Sequence, residues 1–560
     1  MIVKMRHLDL VCVASEKEAT LERLRGLGAV HLDLRSASGA AVAAAKGEAA
    51  DAEKAVRIIL KARDGINRKE GLEVRPHPVE EILALDADRE HLKSEADELS
   101  RLVAQYEPYG DFDPALARKI MEAGVDLSGV AALPEKLPEI RLSEMRARLE
   151  KCRTRIAATT ARIAGCDENA VLRRYPALAD KIAFESAKEL MAESGAVAYV
   201  SGWVPEDRCG AVADAAHECG WGLLMREPAE GETPPTLIEP PKLFKPVKVL
   251  FDGLGIAPAY TESDVSVPFM CYFSLFFAML VGDGGYGLLI FALTMFGWRR
   301  YRKGGGSATA SGAVMKSWLV LMTVFSLATI GWGLLSNTWF GAGLPWLADW
   351  PTVKWLADPS YQNMMLLCFT IGASHLMLAR IWTGVSMIND ITCLSQFGWA
   401  GVLLFMYIMT NAIIGIFPGV PTWAYVVFGV SLVLVFGFTL KKGEFKTRGI
   451  EIGMLPLNIM SALGDIISYV RLFAVGLASV KVAENFNGMA LDIFNASGSL
   501  WLKPLLAAGM LFVLLVGHGL NFAMAGLSIL VHAVRLNTLE FSNHKGVSWA
   551  GYAFKPFSRH

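Results

Sequence analysis

At 560 residues the chain is too long for one compact domain, and 54 Lys and Arg against 55 Asp and Glu leave a formal net charge of −1, which offers no electrostatic footing for nucleic acid. Of its residues 53% are hydrophobic and 19% charged, and the two classes are segregated along the chain. Up to residue 264 the sequence is rich in Glu, Lys and Arg; from 265 onward it is dominated by Leu, Phe, Gly, Trp and Met in apolar runs of roughly 16 to 25 residues, long enough to cross a bilayer.

Composition thus predicts a polar domain over 1–264 and a membrane domain over 265–560. The first 14 residues lack the apolar core and small-residue cleavage site of a signal peptide, so the polar domain is expected in the cytoplasm. The eight cysteines form no C-x-x-C pair and no zinc-like spacing with histidine, which predicts free thiols, no metal and no cofactor.

In chain order, 7–13 reads as a strand, 16–27 as a helix and 29–34 as a second strand. The pattern recurs at 196–204, 206–219 and 221–225, predicting two small α/β lobes, near 1–36 and 195–228, at opposite ends of an α+β cytoplasmic domain. Between them Leu85, Leu92, Leu99 and Tyr106 repeat every seven residues, with Ile82, Ala96 and Val103 interleaved and Arg89 as the misfit. Leu142, Leu149, Ile156 and Ile163 repeat likewise, alongside Met145, Cys152 and Thr159. With a Pro-Tyr-Gly-Asp-Phe-Asp-Pro turn at 108–114, these heptads predict an antiparallel coiled-coil arm over about 80–165 joining the lobes. The arm is either a strut that docks other proteins or simply a stable hairpin. No G-x-x-x-x-G-K-[ST] is present, and Gly304-Gly305-Gly306 lacks a strand-to-helix setting, so no nucleotide site is expected.

In the membrane half, 267–297 is too long for a single crossing of a ~30 Å core. It is expected to break at Gly282-Asp283-Gly284-Gly285-Tyr286-Gly287, with Asp283 at a turn in the opposite interface. The basic run 298–303 then returns to the cytoplasmic side. Further spans near 315–339, 361–387, 397–417, 422–440, 454–495 and 503–540 complete a polytopic domain of eight helices, the last two long and tilted. Lys441, Lys442, Lys446, Arg448 and the tail fall inside, and 341–360 and 418–421 outside; the connection between the fourth and fifth spans offers only Arg380.

Two polar patterns interrupt this apolar half. Arg471 lies deep in a long apolar run, where a permanent charge costs several kcal/mol. Snorkelling to an interface is the ordinary explanation, and the apolar residues on both sides oppose it. Ser461, Asp465, Ser468 and Arg471 are spaced 4, 3 and 3; Asp465 and Arg471, about 120° apart on a helix, each need a partner elsewhere. On the final helix His518, Asn521, Ser528, His532 and Arg535 form a second stripe. Such a stripe faces protein or water rather than lipid. For the serines, interhelical hydrogen bonding stands level with an ion path; for His518, His532 and Arg535 the path is favoured, and Arg535 also lies near enough to the helix end to snorkel. Lys481 and Glu484 either pair or line the external side of that path.

The residues 465–478, matching D-x-x-S-Y-x-R-L-x-A-x-G-L-A, and 517–541, with H-x-x-N and H-x-x-R-L-x-x-x-E-F, resemble the membrane stator subunit a, or subunit I, of V-type and A-type rotary ATPases. Pro234-Pro235-Thr236, Phe244-Lys245-Pro246, the 282–287 glycines, His375-Leu376 and 109–114 add to the resemblance, which spans the chain. It implies that Arg471 is the essential arginine of the seventh helix, Arg535 the supporting arginine of the eighth, and His532 the histidine beside it. Where eukaryotic members carry a glutamate seven residues before that histidine, this chain has Ala525, so Glu484, His518 or water would serve that half-channel.

The resemblance further implies a multi-pass subunit of the cell membrane with both termini cytoplasmic. Its partners would be the rotor proteolipid ring, facing Arg471, and the peripheral stalk and central-stalk adaptor, through the cytoplasmic domain. Two half-channels would load and unload H+ or Na+ at a ring carboxylate, which must be neutralised before facing lipid. Arg471, which does not titrate, would pair with the unloaded carboxylate and block a leak. A secondary transporter with a regulatory domain is the rival reading; it requires paired broken helices in inverted repeats, which the sequence does not display.

Overall fold

The computed structural model describes residues 2–34, 37–64, 74–123, 137–303, 310–356, 358–439, 445–496 and 501–559, with the side chains at 121, 310, 311, 445–449 and 451 excepted. The chain forms two compact units, Arg6–Glu227 with Lys555–His560, and Met1–Met5 with Pro228–Phe554.

In the first unit, alternation in β1 (Met5–Val13) buries Leu8, Leu10 and Cys12 and leaves Val11 and Val13 exposed. A four-stranded sheet, ordered β2-β3-β1-β4, contains this strand with β2 (Ala192–Ser194), β3 (Val197–Pro205) and β4 (Gly222–Arg226). The segments expected as two lobes therefore share one sheet, in which β4 pairs antiparallel with β1 through Leu8↔Met225 and Leu10↔Leu223. Isolated strand pairs are marginal in water, and merging them builds one core. Residues 29–34, expected as a strand, contribute a single bridge from His31 to Trp203. Helix α1 (Lys17–Leu27) covers the sheet through Leu21 and Leu24 and ends on Gly28 at φ 57°, a left-handed cap that glycine adopts without strain.

The heptad helices are α3 (Val79–Tyr106) and α4 (Leu142–Ala164). They run antiparallel, since Ile82 clusters with Ile163, Leu99 with Leu149 and Cys152, and Tyr106 with Leu142 and Met145. The misfit Arg89 is buried and paired to Asp86 on its own helix. A third helix, α2 (Ala40–Asp64), has no counterpart among the predicted elements; its buried face of Ala52, Ala55, Ile58, Ile59 and Ala62 is largely alanine and gives a weak apolar stripe.

In the second unit the long apolar run forms α5 (Ser266–Val281) and α6 (Gly284–Lys303), bent by 118°. The break spans only Gly282 and Asp283, since 284–287 are helical. Asp283 is fully buried rather than exposed at an open turn. Its carboxylate accepts 2.7 Å bonds from the backbone N–H groups of Gly285, Phe340 and Gly341, which replace the water it gives up.

Next come α7 (Ala310–Ser336), α8 (Gln362–Ser386), α9 (Cys393–Ile413) and α10 (Thr422–Phe438). The expected span 454–495 is two helices, α11 (Phe445–Ile467) and α12 (Val470–Asn495), broken at Ser468 and Tyr469. The last helix, α13 (Lys503–Ser528), continues through π-helical segments Ile529–Ala533 and Leu536–Phe541 into Ser542–Lys545. Among the described residues five helices are long and apolar enough to cross a membrane, the bent pair makes six, and Thr422–Phe438 is a shorter apolar helix. The expected eight counted the bent pair as two crossings and α10 as a full one. Gly304–Gly306, Lys441 and Lys442 lie outside the described residues, as do the side chains of Lys446 and Arg448.

At the tip of the arm the Ser143 N–H donates to Asp111 at 3.1 Å, and Arg141 pairs with Asp113. These contacts hold both carboxyls below their ordinary range, chiefly through the Ser143 amide for Asp111 and the Arg141 hydrogen bond for Asp113. A depressed carboxyl contributes stability above its unfolded value of about 3.9 and loses it as pH falls through the folded value. Hydrogen exchange at 141–149, corrected for intrinsic rate, is thus expected to stay slow from pH 7 to about 4 and quicken below it. In Asp111→Asn it should be fast already at pH 7; equal protection in variant and wild type would contradict this account of the tip.

Candidate functional site

The break before α12 and the π turns at the end of the last helix meet around one carboxylate. Arg471, in the first turn of α12, places Nη2 2.9 Å from Glu540 Oε1, while its Nε donates to the Ser468 carbonyl at 3.0 Å. Arg535 Nε lies 3.5 Å from the same oxygen. The Glu540 side chain is 5% exposed, that of Arg471 22% and that of Arg535 55%. Residues five apart point about 140° away from each other on a regular helix, so Arg535 could not reach Glu540. The i→i+5 bonding of Leu536–Phe541 brings them to one face. His532 stands one turn before Arg535, part-buried, and its Nδ1 and Glu540 Oε2 have no hydrogen-bond partner among the described residues.

Toward the start of α11 the polar groups form a second cluster. Arg380 Nε donates to His544 Nδ1 at 3.0 Å, which leaves His544 Nε2 to donate to Asp465 Oδ2 at 2.9 Å. Arg380 also donates to Gln396 at 3.1 Å and lies 4.9 Å over the Trp399 ring. With Asn458, Ser461 and Asp390 these residues line an open cavity of about 800 Å³.

A second cavity, of about 310 Å³, opens in the other direction along α12, between Leu472 and Phe473 at one end and Lys481, Glu484 and Asp358 at the other. Lys481 and Glu484 both pair, at 2.7 Å, and line it. The second predicted stripe does not run whole through the molecule. His518 and Asn521 belong to a closed network: Tyr286 Oη takes a bond from Asn521 Nδ2 at 3.0 Å and gives one to His518 Nδ1 at 2.8 Å, while His518 Nε2 donates to Asn487 at 3.1 Å. Asn521 also bonds the Ser479 carbonyl at 2.8 Å. Both ring nitrogens of His518 are thus committed to protein, which ties α6, α12 and α13 together. Ser528 is part-buried between the network and the arginines, and Ala525 is buried in the apolar core.

Glu540, His544, Arg380 and Tyr286 are absent from the predicted site. Glu540 and His544 lie off the 3.6-residue stripe and reach the site only through the π turns, and Arg380 looked like a loop marker at the end of its span. The signal available was the unmatched charge itself: a buried Arg471 and an intramembrane Asp465 each required a partner of opposite sign or a hydrogen bond.

The break at 468–469 is held by packing. Tyr469 is fully buried, bonds His375 Nδ1 at 2.9 Å, and presses its ring on Gly372, where an added Cβ would stand 2.4 Å from the ring. Gly372→Ala is expected to displace Tyr469 and cost about 1–3 kcal/mol, read as a clear fall in the unfolding temperature of the solubilised protein. Gly464→Ala, in α11 with no atom within 4 Å of the new methyl, serves as the contrast. Equal stability of the two variants would contradict the wedge.

No family model matches the chain. It is 27% identical over 638 aligned positions to V-type ATP synthase subunit I 1 of Treponema pallidum, covering the whole of both chains. To V-type ATP synthase subunit I of Borreliella burgdorferi it is 32% identical over 376 positions, 64% of this chain and 60% of that one. Against A-type ATP synthase subunit I of Methanocaldococcus jannaschii identity is 26% over 468 positions, 79% of this chain and 66% of that one. A polar unit followed by a helical apolar unit accompanies these matches, and the chain is similar to subunit I of V-type and A-type ATP synthases, over its whole length in the first case.

Proposed function

We propose that this chain is a subunit I and lines two offset half-channels that carry H+ or Na+ to and from a buried carboxylate on a rotor ring, with Arg471 as the barrier between them. The observation that carries this reading is the cavity on either side of Arg471: one along α11 with Ser461, Asp465 and His544, the other along α12 with Lys481 and Glu484. Ser468, Arg535 and His532 flank the barrier. His518 and Asn521 act as scaffold rather than conduit, because their polar atoms are already bonded to protein.

A ring fits the face around Arg535, where Leu520, Met524, Leu527, Leu530 and Val531 are exposed and apolar. The membrane unit crosses eight times, the bent pair counting as two, with both termini in the cytoplasm. Residues 1–264 face the cytoplasm and dock the peripheral stalk and the central-stalk adaptor, with the α3–α4 arm as the strut.

An unloaded ring carboxylate meeting Arg471 is stabilised without a proton; once loaded it is neutral and can face lipid. An ion moving down the membrane potential releases about 2.3 kcal/mol per charge per 100 mV, so the same path can drive synthesis or be driven by hydrolysis. Arg471→Lys in the reconstituted holoenzyme is expected to abolish ATP-driven pumping while assembly persists, because lysine keeps the charge but can deprotonate and lacks the planar head. Pumping above a tenth of wild type would overturn the barrier role, and running the wild type with H+ and Na+ separately identifies the ion.

A further inference from the structure

The reading above leaves Arg471 with a rotor carboxylate for only part of each step, yet within this chain its guanidinium is already paired. Glu540 Oε1 lies 2.9 Å from Arg471 Nη2 and 3.5 Å from Arg535 Nε, so two cations share one oxygen. The second oxygen, Oε2, is buried without a hydrogen-bond partner among the described residues. Buried carboxylates ordinarily use both oxygens. One oxygen shared between two cations suits a group whose partners are exchanged.

We propose that Glu540 is the resident counter-ion of Arg471, which holds the guanidinium between rotor steps and yields it to each arriving rotor carboxylate. The inference rests on Arg471 being the rotor partner. Charge counting gives its content. Arg471, Arg535 and Glu540 sum to one positive charge, and one unloaded rotor carboxylate brings the cluster to zero. Without Glu540 the site would carry two positive charges in a low-dielectric layer, bind the rotor carboxylate too firmly and hold the ring. Without either arginine it would be neutral and bind too weakly.

The other charged and titratable groups facing this cluster are few. His532 stands one turn before Arg535, Tyr469 and His375 lie behind the break, and His544, held by Asp465 and Arg380, follows Glu540 by four residues. Asp465 and Arg380 offset one another in charge around His544, and His375 is bonded to Tyr469. Glu540 is therefore the only anion in direct contact with either Arg471 or Arg535 among the described residues. Its reach to both depends on the π turn at Leu536–Phe541, which gives that irregular backbone a purpose.

The test is ATP-driven pumping by the reconstituted holoenzyme carrying Glu540→Gln, and the double variant Glu540→Gln/Arg535→Gln, which restores the net single positive charge. The single variant is expected to assemble and pump at least tenfold more slowly, and the double to recover at least threefold over the single. Carbodiimide labelling of the rotor carboxylates, which needs the protonated acid, should in Glu540→Gln reach half its maximum about one pH unit lower than in wild type. Pumping by Glu540→Gln within twofold of wild type, a double variant no faster than the single, or an unmoved labelling midpoint overturns the proposal. Should Glu540→Gln fail to assemble, assembly and pumping by the double variant support the charge count, and failure of both overturns it. Arg471→Lys in the same assay separates the two levels: if it pumps, the barrier reading itself has failed; if it is dead while Glu540→Gln is normal, only the counter-ion role has.

Discussion

A guanidinium that never loses its charge, set inside a layer of low dielectric, obliges the surrounding structure to supply an anion without solvating it away. Here the anion is Glu540, and the pair Arg471–Glu540 at 2.9 Å joins the start of α12 to the end of the last helix. A buried pair of this kind contributes little net stability, because desolvation offsets most of the attraction, whereas removing one partner is costly. Its value lies in position. The two helices must be placed so that the pair forms while Arg471 keeps partial exposure.

Irregular backbone achieves that placement. A continuous α-helix from 445 to 495 would fix Arg471 about 120° from Asp465; the break at Ser468 and Tyr469 interrupts that helix and leaves the Ser468 carbonyl to accept from Arg471 Nε. At the end of the last helix, π turns bring Glu540 to Arg535. Such departures persist only where packing overdetermines them. Gly372 beneath the Tyr469 ring, and Gly476 against the Met279 carbonyl, where a Cβ would stand 2.4 Å away, are two places beside the break where a side chain would collide.

The apolar runs, the heptads and the deep arginine were legible in the sequence because each rests on one-dimensional spacing. The antiparallel seam of α3 and α4 follows from leucines seven apart, and the break in the 267–297 run follows from its excess length. What the sequence hid depends on long-range pairing or altered period. One sheet takes strands from residues near 5 and 222, which no local pattern reveals. The stripe from His518 to Arg535 assumed an even 3.6-residue phase, so it did not reach Glu540 and His544, which contact Arg471 and Asp465. Asp283 was expected at an exposed turn because a carboxylate without donors would have to be; three backbone N–H groups supplied by the turn and by Phe340 and Gly341 remove that need.

The central claim is that Arg471 separates two aqueous spaces that open to opposite sides of the membrane. Single cysteines placed at Asn458, on the wall of the larger cavity, and at Val480, on the wall of the smaller, test it directly in a background with the native cysteines replaced. With a membrane-impermeant thiol reagent applied to one face at a time of vesicles holding the assembled enzyme, the account predicts that Asn458→Cys reacts only from the cytoplasmic face and Val480→Cys only from the opposite one. Reaction of both from the same face would contradict it.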